Sequence, residues 1–287
     1  MMDYTQLLPE HEVKKIGEHD LHLEIFAGTP PHDEKTTTKK PPLLFVHGAY
    51  TGSWMWSKYI PHFAQHGWTC YVMNLRSHYK SRVMDMTKIT FDDYLEDIRE
   101  VLAELNEPPV LIGFSMGGIL SQKIAEAATL AGLVIIDSSI SKEVHGVMPY
   151  PGSDRITPGI IIPAPVRDEL TSIDETAEDI AFQRKYLQME SSKAFSTFSV
   201  MFGADGGVSI NGELIHCPSL VIKAVSSEDE DQRGKLTSKQ LHAAYAGLWD
   251  TTHTGLLVGQ RYMEPVDIIL EWMNRQHPFE LTEKIKN

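Results

Sequence analysis

Ser115 stands between glycines in the run Gly113-Phe114-Ser115-Met116-Gly117, after the apolar stretch 109–115 and before the helical pattern 116–128. A residue at so sharp a strand-to-helix turn takes strained backbone, which throws its side chain out of the sheet. Side chains two residues before and two after would collide with neighbouring backbone, and glycine at both positions removes the collision. The spacing is that of a nucleophile elbow. The turn also leaves helix N-terminal amides free beside the hydroxyl, a seat for a developing negative charge. A serine is a poor nucleophile near neutral pH without a base to take its proton, so this chemistry needs a histidine. The chain has 13. His253 follows a short apolar stretch and precedes the C-terminal helix, well after the serine. His62 and His66 stand four apart on a candidate helix, which is metal-ligand spacing, but no third ligand is near and they read as surface residues.

The elements that must hold these groups follow from periodicity. Residues 42–48, 69–75, 109–115, 133–137 and 219–225 are short apolar runs that read as strands buried on both faces. Between them, 90–105 carries Phe91, Tyr94, Leu95, Ile98, Val101, Leu102 and Leu105 at helical spacing. Thr90 and Asp93 give it a capping-box-like start, and Pro108 and Pro109 end the segment. Residues 56–67 and 116–128 are further helix candidates, the first broken or kinked at Pro61. Strand–helix alternation of this kind predicts an α/β fold, a mostly parallel central sheet with helices on both faces. Residues 12–28 alternate more loosely and predict an antiparallel hairpin at one edge.

The alternation stops over 141–213. Five prolines fall within 149–165, and helical stretches at 176–190 and 191–202 follow. Ile160, Ile161, Ile162, Phe195, Phe198, Met201 and Phe202 are too many apolar side chains to stay in water unpaired, so this is an inserted helical cap rather than a linker. The predicted division is a core of 1–140 and 214–287 and a cap of 141–213.

Composition excludes some classes. In 287 residues, 39 acidic side chains against 26 basic give a net charge of −13, which argues against nucleic acid or an anionic membrane as partner. Cys70 and Cys217 read as buried reduced thiols. The first 20 residues show no basic start followed by an apolar core, and no apolar run reaches the ~20 residues of a membrane span. A cytoplasmic location is expected.

With these motifs in place, the sequence resembles the α/β-hydrolase fold superfamily, in its serine esterase and hydroxynitrile-lyase-like branch. Residues 43–56, LLFVHGAYTGSWMW, are similar to the family's strand and His-Gly loop. By that match the amides of Ala49 and Met116 form the oxyanion hole, and His47 shapes the loop. Residues 74–81, NLRSHYKS, resemble the family's Arg-Gly-His-Gly-x-Ser loop, with Ser77 and Tyr79 where glycines are usual. Residues 247–273 resemble the last strand, the catalytic-histidine loop and the final helix, which makes His253 the base. The resemblance places the acid after the strand 219–225, where a gapless match falls on Ser227. A loop slightly longer than usual gives Asp229, with Glu228 and Asp231 in reserve and Asp137 as a rarer alternative site.

The expected activity is hydrolysis of a small or medium carboxylic ester through an acyl-enzyme on Ser115, with no metal and no cofactor. Tyr50, Trp54 and Trp56 are expected to line an apolar pocket. Two other readings remain open on the same fold: a hydroxynitrile-lyase-like or C–C-cleaving enzyme, and a ligand-binding protein without turnover.

Overall fold

Short apolar runs have no polar side to give to water, so they must lie in a sheet covered on both faces. The computed structural model describes residues 2–29, 40–151, 156–202 and 207–276. Its strands are β1 Glu12–Ile16, β2 Leu21–Phe26, β3 Leu43–Val46, β4 Cys70–Met73, β5 Val110–Phe114, β6 Gly132–Ile136, the short pair β7 Ile161–Ile162 and β8 Glu190–Ser191, β9 Ser219–Val225 and β10 Ala244–Trp249. The main sheet runs β1-β2-β4-β3-β5-β6-β9-β10. The edge hairpin β1–β2 and its join to β4 are antiparallel, and every other pair in that sheet is parallel.

The helices are α1 Ile60–Gln65, α2 Phe91–Ala103, α3 Met116–Ala125, α4 Lys142–Val147, α5 Ala177–Tyr186, α6 Ser192–Phe198, α7 Glu228–Gln240, α8 Gly255–Val258 and α9 Met263–Gln276. Successive strand side chains divide between two cores, as a period of two requires. Leu44, Val46 and Leu111 pack with Ile98, Val101, Ile119 and Leu120 of α2 and α3. Leu43, Phe45, Ile112 and Phe114 pack with Phe63, Ile269 and Met273 of α1 and α9. Thr90 and Asp93 form the expected capping box of α2. Pro61 does not break a helix; it lies in the first turn of α1, where its missing N–H leaves no bond unmade.

Residues 156–202 carry β7, α5, β8 and α6. Phe182, Phe195 and Phe198 are buried there, whereas Ile160, Ile161 and Met201 are exposed. The Phe202 side chain and residues 1, 30–39, 152–155, 203–206 and 277–287 lie outside the described residues. Cys70 is buried, and Cys217 is only half-buried.

One row of the sheet positions the site. Phe114 pairs with Ile136, and Ile136 with Ile222. The next residues on these three adjacent parallel strands are Ser115, Asp137 and Lys223. The amide of Asp137 donates to Ile222 O at 2.7 Å and that of Ser115 to Ile136 O at 3.1 Å, so the strand ends are tied across.

Candidate active site

Ser115 caps α3 with φ 54° and ψ −117°, the strained turn that the sequence requires. The flanking glycines are there for space. A Cβ at Gly113 would stand 2.3 Å from Gly117 O, and one at Gly117 would stand 2.3 Å from Val46 O. Neither glycine has positive φ. Ser115 opens into a cavity of about 490 Å³ that Ala49, Tyr50, Phe114, Asp137 and His253 also line. Met116 is the first residue of α3, so its amide is one of those with no acceptor inside the helix.

His253 sits in the loop between β10 and α8, with its side chain about half exposed (47 %) and its ring stacked on Phe114 at 4.5 Å. Its Nδ1 lies 2.5 Å from Oδ2 of Asp137. The carboxylate brought to His253 is therefore Asp137, not Asp229. Asp229 is exposed in the first turn of α7. Ser227 caps that helix, and four successive acids occupy its first turn, where they favour the positive end of the helix dipole. Glu228 is exposed, and Asp231 takes a hydrogen bond from Tyr245 and pairs with Lys235.

Asp137 is buried with φ 41°, and its other oxygen, Oδ1, lies 2.6 Å from Lys223 Nζ. Burial pushes its carboxyl up, but Lys223 and His253 outweigh burial and hold it well below the usual carboxylate range. The same contest holds Lys223 well above its ordinary value: burial lowers it, and Asp137, Tyr150 and Glu230 more than compensate.

Of the three aromatics expected at the pocket, only Tyr50 lines the cavity. Trp54 and Trp56 are fully buried in the core. Trp54 packs on Phe182 and Tyr186, and Trp56 on Phe45, Tyr59 and Phe114. They follow β3 in a tight 3-10 turn, Ser53–Trp56, that turns them under the sheet end. The apolar wall comes instead from Ile140, Leu187, Phe195, Phe198, Val200 and Met201.

A profile of the alpha/beta hydrolase family matches residues 43–266, a span from β3 into α9 that includes Ser115, Asp137 and His253. The chain belongs to the alpha/beta hydrolase family. No curated protein sequence matches this hydrolase. Solved structures share its fold at low identity. An esterase from Thermogutta terrifontis, solved with malate bound, is 17 % identical with a TM-score of 0.62, covering 94 % of this chain and 100 % of its own. A Paleococcus ferrophilus monoacylglycerol lipase is 18 % identical with a TM-score of 0.63, covering 89 % of this chain and 99 % of its own. The thioesterase domain from the curacin biosynthetic pathway is 20 % identical with a TM-score of 0.61, covering 91 % and 99 %.

In the 74–81 loop Ser77 and Tyr79 stand where the family pattern has glycines, and both take positive φ. Ser77 has φ 64° and Tyr79 φ 47°, the left-handed region that glycine enters freely. Local bonds hold them there: Met84 N donates to Ser77 Oγ at 2.7 Å, and Tyr79 N donates to Gln188 Oε1. His47 is fully buried below the Ala49 loop; its Nε2 accepts from Leu75 N at 3.1 Å, so Nδ1 carries the proton toward Gly48 O at 2.8 Å. His62 meets Tyr262 OH at 3.3 Å, and His66 is exposed. Among the described residues, ligand atoms of His19, Glu96 and Glu100 lie within 4.8 Å of one another on residues that do not line the cavity. Glu96 is already paired with Arg76 at 2.8 Å. Sequence reasoning missed Lys223, Glu230, Tyr150 and Arg167 at the cavity wall. The one available signal was a lone lysine inside the apolar strand Ser219–Val225.

Proposed function

We propose that this alpha/beta hydrolase cleaves an uncharged carboxylic ester of small or medium size through an acyl-enzyme on Ser115. The observation that carries this reading is the 2.5 Å contact between Asp137 and His253 Nδ1, at the wall of the cavity into which Ser115 opens. Asp137 fixes the tautomer in which Nδ1 holds a proton and Nε2 is free as base. His253 takes the Ser115 proton as Oγ attacks the acyl carbon, then protonates the leaving alcohol. Water repeats the cycle on the acyl-enzyme, and the exposed imidazole gives it access. The amides of Ala49 and Met116 receive the oxyanion; removing one such donor costs on the order of 10²–10³ in turnover.

The preference for an uncharged substrate rests on charge compensation. Arg167, which lines the cavity, is paired with Glu169 and Glu175, and Lys223 with Asp137 and Glu230, so neither cation is spare for a substrate carboxylate. Residues 141–213 act as the cap over the site, since Tyr150, Pro165, Arg167, Leu187, Phe195 and Met201 all line the cavity. The structural neighbours named as esterases and a lipase support ester chemistry on this fold.

A fluorophosphonate probe tests the reading. It should label the wild-type protein and not Ser115→Ala, and p-nitrophenyl butyrate should be turned over by the wild type alone. A wild type that neither labels nor hydrolyses leaves the binding-protein reading standing.

A further inference from the structure

We propose that Lys223 is a positioning residue of this site: by gripping the second oxygen of Asp137, it sets the pH at which His253 becomes a base. The inference rests on the reading of Asp137 and His253 just given. One carboxylate oxygen of Asp137 serves His253 at 2.5 Å, and the other faces Lys223 Nζ at 2.6 Å. That second contact is a close ion pair between two buried groups, so charge is what it chiefly supplies. Lys223 Nζ lies 2.8 Å from Glu230 Oε2, and Glu230 Oε1 accepts from Arg233 at 2.8 Å. The result is a row of alternating charges, Asp137, Lys223, Glu230 and Arg233, ending at the imidazole.

A buried lysine in β9, a strand paired on both sides, is costly to desolvate, and an apolar residue there would be cheaper. What the lysine adds is control of the histidine. The negative charge of Asp137 favours the imidazolium, and the positive charge of Lys223 beside it opposes the imidazolium. Glu230 in turn tempers Lys223. The other groups facing Lys223 are Tyr150, whose hydroxyl donates to Glu230 at 3.1 Å, and Tyr245 of β10, which is engaged with Asp231. Asp250 lines a second cavity of about 430 Å³ that Asp137, Lys223, Glu230 and His253 also line. Around His253, Asp174 and Glu175 are bound to Thr252 and Thr254, and Arg167 to Thr254. None of these replaces Lys223 at Asp137 Oδ1.

The two ends of the row make opposite predictions. Lys223→Met removes the opposing charge, so the ionisation of His253 should move up by about one pH unit. Glu230→Gln frees Lys223 to act more strongly, so the same ionisation should move down. Lys223→Arg should restore the wild-type value. The readout is a ¹⁵N NMR titration of the His253 ring, which needs no turnover, alongside the acidic limb of kcat/KM for p-nitrophenyl butyrate. An unmoved His253 titration in Lys223→Met, or shifts of the same sign in both variants, would overturn the proposal. Should Lys223→Met not fold, Glu230→Gln decides: a downward shift supports the proposal, and no shift sinks it. If the titrations move as stated while Ser115 never labels, the ester-hydrolase reading fails and the role of Lys223 over His253 stands.

Discussion

Replacing Asp137 and Asp229 in turn separates the acid that touches His253 from the one that chain order favours. Asp137→Asn keeps the shape but presents the wrong hydrogen-bonding pattern to His253, so kcat should drop about 10⁴-fold. Asp229→Asn, on the exposed first turn of α7, should leave kcat within about twofold. Steady-state hydrolysis by the two purified variants checks both. The family's chain order points to 228–231 because those acids follow β9 along the chain. Nothing in the run LVIID says that its aspartate meets a residue 116 positions away. That contact is a property of which strands are adjacent, and adjacency is set by the whole sheet. The serine was legible because its constraint is local: the bend and its two flanking glycines lie within five residues.

His47 carries a second prediction at this scale. Burial, with His78 beside it, pushes its ionisation down to about 3. The unfolded chain holds that proton below about 6.5 and the folded one does not, so folding loses stability as pH falls from about 6.5 toward 3, by at most about 1.4 kcal/mol per pH unit. His78 is raised by Glu190 against the pull of burial, so its contribution is present below about 6.5 and lost at higher pH. On the acid side His62, lowered by burial, adds to the effect of His47, and Asp97, pushed up to about 6 by burial, opposes it, so the His47 share is read as a difference between variant and wild type. His47→Gln should therefore flatten the fall in urea stability between pH 6.5 and 5 relative to wild type.

At the scale of elements, the helical period marks the amphipathic α2, and continuous apolar runs mark the strands covered on both faces. α2 begins at Thr90 as its capping box requires, and the five apolar runs are strands of one sheet. Trp54 and Trp56 lie in the core and not at the cavity wall, since apolar residues beside a cavity and apolar residues under it look alike in sequence. The elbow between β5 and α3 is the least forgiving junction. Gly117→Ala should cost about 2–3 kcal/mol in urea unfolding, because its Cβ meets the backbone oxygen of Val46, which cannot swing aside.

At the scale of the molecule, the segment 156–202 is bolted to the sheet rather than hinged beside it. Phe182 of α5 is fully buried against Trp54 and Tyr4, and Asp179 takes Tyr4 OH and Lys58 Nζ, both at 2.7 Å. Phe182→Ala should lower stability by about 3–5 kcal/mol and open 156–202 to limited proteolysis before the rest of the chain. The net charge of −13 leaves anionic vesicles an unfavourable partner, and no helix among the described residues is long and apolar enough to cross a membrane.

The row that ends in Ser115, Asp137 and Lys223 has one more consequence. The amides of Ser115 and Asp137 are bonded across the middle of the sheet, so they can trade hydrogen for deuterium only when the central strands part. Their exchange should be as slow as that of the core itself, and heat should silence the enzyme only at the temperature where the sheet comes apart.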